Sequence, residues 1–85
     1  MDYVLLISRL GTQLREKRIA RGLTQVQLAK IAGLTRYKII AVEKGAPSVS
    51  MIAYARTLAA LDSELVVIPA VMPTLEELAE LFNDL

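Results

Sequence analysis

Two short apolar runs occupy the middle of the chain, each opened by a threonine, with one glycine between them. They lie within residues 23–45, which read LTQVQLAKIAGLTRYKIIAVEKG. Thr24 and Thr35 stand where a helix N-cap is expected, and Gly33 suits the left-handed residue that ends a helix. Gly45 and Pro47 stop the second run. This pattern predicts two short helices, over 25–32 and 36–44, joined by a tight turn.

The flanking sequence predicts one more helix on each side. Ser8 is a candidate cap for a helix over 9–21, which Gly22 would end, and Ser48 opens a helix over 49–61 with apolar residues at helical spacing. A chain of 85 residues has room for one domain, and dimerisation would add to its modest buried surface. The composition is 54% hydrophobic, with one Phe and no Trp, so we expect a core of Leu, Ile, Val and Ala within a single domain spanning 1–62.

After Asp62 the apolar pattern changes period. Residues 63–73 contain a β-branched run that predicts a strand. A lone strand needs a ladder partner, which either Asp2–Ile7 or the same strand of a second copy would supply. Residues 74–85 then predict a short acidic amphipathic helix, opened by Thr74 and Glu77 at capping-box spacing. The strand residues are Leu65, Val66, Val67 and Ile68, and the apolar stripe of the tail includes Leu75, Leu78 and Phe82.

Charge divides the chain more sharply than the net value of +1 suggests. All ten basic residues lie in 1–61 with only three acids, which leaves +7, whereas 62–85 hold six acids and no base, which leaves −6. A basic body predicts a polyanionic partner, and an acidic tail predicts a different contact. The simpler alternative is a solvated surface of uneven charge.

Two short helices joined through Gly33 and Leu34 are typical of a helix-turn-helix, whose second helix enters the major groove of DNA. With Ile39 and Val42 facing inward, the outer side chains of that helix are available for contact. We expect base reading by Arg36, Tyr37 and Ala41, because Arg suits guanine edges and an apolar group suits the thymine methyl. Phosphate contacts are expected at the helix starts and at nearby polar side chains, namely Thr24, Gln25, Thr35, Lys38 and Lys44.

Other classes of function have little support in the residues. The chain contains neither His nor Cys and no glycine-rich phosphate loop, so we expect no enzyme, no metal site and no cofactor. The apolar runs YVLLI and LVVIPAVM are too short to span a membrane, and the first has the wrong flanks for a signal peptide. We therefore expect a cytoplasmic, nucleoid-associated protein.

Leu10 to Asp62 resembles the Cro and phage-repressor (XRE) type of helix-turn-helix domain. The resemblance is carried by LREKR, GLTQVQLAKIAGLT, EKG and PSVSMIAYARTLAAL. It implies a lambda-repressor-like fold of four to five helices, a phosphate contact from Gln25, and base-reading positions at Arg36, Tyr37 and Ala41. It also implies an internal ion pair between Arg18 and Glu43.

A strand in place of a fifth helix after Leu61 is similar to the HipB-like antitoxins. That narrower resemblance implies a strand pairing across a homodimer, an acidic tail, repression of the protein's own operon and binding of a HipA-like kinase toxin. The expected DNA partner is a pseudo-palindromic operator. Alternatives are a stand-alone phage-type or restriction-controller regulator, and a protein-binding scaffold without DNA readout. The tail would dock on a partner, or fold back on its own dimer, through Leu75, Leu78 and Phe82.

Overall fold

The computed structural model describes residues 2–83, with side chains for residues 2–80. Its elements are helical: α1 (Tyr3–Ala20), α2 (Gln25–Ala32), α3 (Arg36–Glu43), α4 (Met51–Ala60) and α5 (Leu75–Asn83). The predicted mainly helical architecture with a helix-turn-helix is confirmed. Within residues 2–83, no helix is both long enough and apolar enough to cross a membrane.

The turn between α2 and α3 is built by local capping. The Thr24 hydroxyl accepts a hydrogen bond from the Gln27 amide at 3.1 Å, and the Gln27 side-chain oxygen accepts from the Thr24 amide at 2.8 Å. Gly33 ends α2 with a φ of 70°, in the left-handed region that is unfavourable for residues with a side chain. Thr35 then accepts from the Lys38 amide at 3.1 Å and starts α3. Both helices therefore begin at a threonine whose hydroxyl caps them, and α2 ends at a glycine in the left-handed conformation.

The core lies where α1, α2, α3 and α4 meet. Leu28, Ile39, Val42 and Leu61 are fully buried, so the small aliphatic residues predicted for the core are the ones that fill it. Tyr54 is also buried, and its hydroxyl donates to the Ala46 carbonyl at 3.1 Å. That bond ties α4 to the loop that follows α3, which keeps α3 at a fixed position on the core.

α1 and the end of α3 approach each other through glycine. A Cβ on Gly11 would lie 2.6 Å from the Val42 carbonyl oxygen, and a Cβ on Gly45 would lie 2.7 Å from the Ile7 carbonyl oxygen. Gly45 also has a φ of +68°. The two backbones therefore touch, at a separation that no other residue type permits at these positions.

The predicted start of the first helix is wrong. Asp2, not Ser8, is the cap: its carboxylate accepts from the amides of Val4 at 2.8 Å and Leu5 at 3.1 Å. Asp2–Ile7, considered as a strand partner, thus belongs to the cap and first turn of α1, where burial of Leu5 favours the helix. The fourth helix also begins later than predicted, because Ser50 rather than Ser48 caps it.

The predicted strand over 63–73 is not formed. Residues 63–74 contain neither helix nor strand, and the described residues include no strand elsewhere. The physical reason is the absence of a ladder partner within the chain, since the one intrachain candidate is part of α1. The predicted capping box of the tail, in contrast, is confirmed: Thr74 accepts from the Glu77 amide at 3.2 Å, and Glu77 accepts from the Thr74 amide at 2.9 Å.

Candidate nucleic-acid interface

The outer surface of α3 is polar and exposed, whereas its inner surface is fully buried. Ile39 and Val42 have no exposed area, and Tyr37 on the opposite side is 80% exposed. Arg36, Lys38 and Lys44 are exposed as well, and Ala41 is partly buried among them. Of the three predicted base-reading residues, Arg36 and Tyr37 are therefore accessible and Ala41 is partly accessible. A rigid helix that presents Arg and Tyr in this way has the shape and charge to enter a major groove.

Four of the predicted phosphate contacts lie at the starts of α2 and α3, and the fifth, Lys44, is the C-cap of α3. The hydroxyls of Thr24 and Thr35 each accept a bond from their own helix, and each hydroxyl keeps a proton that can be donated to a phosphate oxygen. The first amides of both helices add partial positive charge in the same region. The geometry of both helix starts is thus that of an anion-binding position.

Gln25 has a protein partner that the sequence did not reveal. Its side-chain amide donates to the Glu43 carboxylate at 3.3 Å, which links the start of α2 to the end of α3. The two residues are 18 positions apart, and no local periodicity joins them. This bond fixes the orientation of the amide, which still has a second N–H for a phosphate.

The structure brings Arg18 and Glu43 together. Arg18 Nε lies 2.6 Å from Glu43 Oε2, and Arg18 Nη2 lies 3.1 Å from Glu43 Oε1, so the contact is bidentate. The side chains are only 11% and 3% exposed. Arg18 also donates to the Leu23 carbonyl at 2.8 Å. Glu43 therefore receives bonds from α1 and from α2 while belonging to α3, which holds the three helices in register.

The tail folds back onto α1 of the same chain. The Arg9 guanidinium forms a two-pronged ion pair with Glu77, whose second contact, from Nη2 to Oε1, is 3.1 Å long. Arg9 Nη2 also lies 3.4 Å from the Met72 carbonyl oxygen. Of the predicted docking residues, Leu78 is 37% exposed, Leu75 is 86% exposed, and the side chain of Phe82 lies outside the described residues. The sequence reasoning did not identify Arg9, because nothing local connects it to a residue 68 positions away.

The ion pair with Arg9 changes the titration of Glu77. Hydrogen bonding to the Arg9 side chain, assisted by the backbone bond to Thr74, lowers the pKa of Glu77 from 4.5 to about 2. The same bond raises the pKa of Arg9. The tail contact is therefore charged on both sides throughout the neutral range.

The predicted dimer residues are exposed, and no strand pairs with them within residues 2–83. Leu65 is 49% exposed, Val66 72%, Val67 100% and Ile68 69%. These four residues form a continuous apolar run that the core does not use.

A capped helix pair with a buried inner face and a cationic outer face is the arrangement of a helix-turn-helix regulator. The chain belongs to the helix-turn-helix domain family, whose sequence pattern matches residues 9–67. It is also similar to an uncharacterized HTH-type transcriptional regulator of Methanothermobacter thermautotrophicus, with 49% identity over 53 residues. That alignment covers 62% of this chain and 77% of the archaeal protein. The matched region contains all the candidate DNA contacts and ends before the tail helix.

Proposed function

We propose that the protein is a sequence-specific DNA-binding repressor that binds a pseudo-palindromic operator as a homodimer. The observation that carries this proposal is the surface of α3, where Arg36 and Tyr37 are exposed above a fully buried inner face. In the proposal Arg36, Tyr37 and Ala41 read base edges. Thr24, Gln25, Thr35, Lys38 and Lys44 contact phosphates and set the orientation of α3 in the groove.

The charge of the helix-turn-helix supports this function. Residues 24–45 contain four basic residues and one acid, Glu43, which is buried and paired with Arg18. The surface of this segment is accordingly cationic, which favours the approach of DNA. Family membership supports the same conclusion.

Selection from a random duplex library, followed by binding measurements on the recovered site, tests the proposal. We expect an inverted repeat whose half-sites are about one helical turn apart. Arg36→Ala should lose about 1–3 kcal/mol of discrimination at one base pair, and Lys38→Ala should weaken binding to all sequences and reduce the salt slope by about one. Recovery of no enriched sequence, or an affinity that does not respond to salt, would contradict DNA reading and favour the scaffold alternative.

We propose further that this repressor is the antitoxin of a HipBA-like operon. Two features that DNA reading does not require support the proposal: the exposed apolar run Leu65–Ile68 and the acidic helix α5. In this proposal Leu65–Ile68 pairs with the same segment of a second copy, and the tail meets a kinase toxin. The ion pair between Arg9 and Glu77 of the same chain is then one that the toxin must displace or extend.

Co-expression with the product of the adjacent gene distinguishes an antitoxin from a stand-alone regulator. An antitoxin should co-purify with that product at a fixed ratio and suppress its toxicity, and deletion of 74–85 should weaken the complex. A neighbouring gene whose product is harmless, with operator binding intact, would favour the phage-type or restriction-controller alternative.

A further inference from the structure

Helix α4 carries a single charged residue, Arg56, which reaches the turn between α2 and α3. The rest of α4, from Met51 to Ala60, is uncharged. The Arg56 Nη1 donates a hydrogen bond to the Gly33 carbonyl oxygen at 3.3 Å. The two residues are 23 positions apart. The bond therefore joins a helix outside the helix-turn-helix to the turn within it.

The guanidinium of Arg56 also lies directly over Gly33. A Cβ on Gly33 would be only 3.2 Å from Arg56 Nη1, which is a close approach. Gly33 is the C-cap of α2, and the C-terminal end of a helix carries partial negative charge that a cation stabilises. Both the charge and the N–H donors of Arg56 are therefore favourable at this end of α2.

A second hydrogen bond from α4 reaches the other end of α3. Tyr54, two residues before Arg56, donates from its hydroxyl to the Ala46 carbonyl oxygen at 3.1 Å. Because α3 spans Arg36–Glu43, Gly33 precedes it and Ala46 follows it. One helix thus donates to the backbone on each side of α3.

These bonds supply a direction that packing of α3 does not. Ile39 and Val42 bury its inner face, but the hydrophobic effect is non-directional, whereas a hydrogen bond depends on angle as well as distance. Base reading depends on the direction of α3, since a bidentate contact of Arg with a guanine edge has a fixed geometry.

We propose that Arg56 is a positioning residue for DNA reading, which holds the Gly33 carbonyl and thereby orients α3 and Arg36 in the groove. The inference rests on the proposed function and deepens it. It adds a residue outside the helix-turn-helix on which base discrimination depends, although that residue reads no base itself.

The variant Arg56→Met tests this role, because Met keeps an unbranched stem and a high helix propensity and removes the guanidinium. Fluorescence anisotropy compares the operator with duplexes changed at the base pair that Arg36→Ala identifies. We expect Arg56→Met to lose about 5–10-fold of the discrimination at that pair and to keep the wild-type salt slope. Lys30→Met removes the same charge from the last turn of α2 and should keep the wild-type discrimination.

Hydrogen exchange of the free protein provides a second measurement that needs no DNA. The Leu34 amide donates to the Ala29 carbonyl oxygen at 2.9 Å in the turn, and the Leu28 amide lies inside α2. In Arg56→Met the turn should open more readily, so the Leu34 amide should exchange at least about 3-fold faster while the Leu28 amide changes much less. In Lys30→Met the ratio of the two rates should stay as in wild type.

Several results would overturn the inference. If wild type reads its operator and Arg56→Met discriminates equally well, Arg56 does not position α3. Equal weakening on all sequences, with the salt slope reduced by about one, would assign Arg56 to a direct phosphate contact. Equal acceleration of both amides would leave it a role in global stability alone, and equal effects in Lys30→Met would leave it a role through charge alone.

The same measurements distinguish this inference from the proposed function. A wild type without any sequence preference would contradict the proposed function, and the role of Arg56 in reading would fail with it. A wild type that reads its operator, beside an Arg56→Met protein that reads it equally well, would contradict only the role of Arg56.

Discussion

Glu43 is the residue at which three helices meet. It belongs to α3, pairs with Arg18 of α1 and accepts from Gln25 of α2, and its side chain is 3% exposed. A carboxylate this buried depends on its partners, because desolvation penalises an unpaired charge. The candidate DNA contact at Gln25 is consequently linked to the stability of the fold.

Removing Arg18 should destabilise the protein strongly. Arg18→Ala leaves Glu43 buried without its cation, and we expect a loss of about 3–5 kcal/mol in the free energy of unfolding, measured by urea denaturation. Arg15→Ala, on the exposed side of α1, should change it by no more than about 0.5 kcal/mol. The double change Arg18→Met/Glu43→Leu should recover much of the loss, since no charge is then stranded. If Arg18→Ala unfolded at the wild-type urea concentration, the pair would have no structural role.

The protonation of Glu77 determines how the contact between the tail and α1 responds to acid. Its pKa is lowered to about 2 by Arg9, so docking favours the ionised carboxylate. A lowered native pKa contributes stability that is fully present above the ordinary value of 4.5 and is lost as the pH falls toward 2. Carboxyl chemical shifts followed by NMR should give the low pKa in wild type and a higher pKa in Arg9→Gln, still below 4.5 because the hydrogen bonds to Thr74 remain. Equal pKa values in the two proteins would show that the tail is not held by Arg9.

Among the helices, α1 contacts both α3 and the tail helix α5. It contacts α3 through Gly11 and Gly45, and it contacts α5 through Arg9. Helix α3 is therefore held by backbone contact with α1 on one side and by core packing on the other. The position of α3 relative to α1 therefore depends on the absence of a side chain at Gly11.

A methyl group at Gly11 should force α1 and α3 apart. In Gly11→Ala the new Cβ would lie 2.6–2.8 Å from backbone atoms at Val42, Glu43 and Gly45, none of which is the end of a flexible side chain. We expect a loss of at least about 1–3 kcal/mol in the free energy of unfolding. Operator affinity should fall as well, because α3 shifts. Thr12→Ala, exposed on the neighbouring position, is the matched control and should be nearly neutral; a Gly11→Ala protein as stable as this control would exclude the close contact.

For the whole molecule, the positive charge of residues 1–61 attracts polyanions such as DNA, and the negative charge of residues 62–85 opposes that attraction. The acidic tail lowers the net charge, and its described ion pair is with Arg9 on α1. Deletion of 74–85 removes Glu76, Glu77, Glu80 and Asp84 and changes the formal charge from +1 to +5.

That deletion should raise the affinity for non-operator DNA at low salt and leave the operator sequence preference unchanged. The reason is long-range attraction to phosphate, which acts without reading bases. Fluorescence anisotropy with a labelled random duplex, repeated across a salt series, measures this affinity. A full-length variant with Gln at Glu76, Glu77 and Glu80 should show most of the same increase. If only the deletion raised the affinity for random DNA, the tail would act by blocking access to the DNA-binding surface rather than through its charge.

The helix limits that depend on neighbouring residues could be predicted from the order of the residues alone. Thr24, Gly33 and Thr35 set the limits of α2 and α3, and Thr74 with Glu77 starts α5, because capping acts within a few residues. The exposed face of α3 followed from the burial of Ile39 and Val42 at helical spacing.

The contacts between residues distant in sequence are visible only in the tertiary structure. Asp2 starts α1 earlier than the sequence predicts, because Leu5 enters the core, and this excludes residues 2–7 as a strand partner. Arg9 meets Glu77 across 68 positions, and Gln25 meets Glu43 across 18, which no periodicity encodes. Residues 63–74 failed to form the predicted strand because a strand, unlike a helix, draws its hydrogen bonds from another segment. Local hydrogen bonds can be read from the order of residues, whereas long-range pairs exist only once the chain has folded.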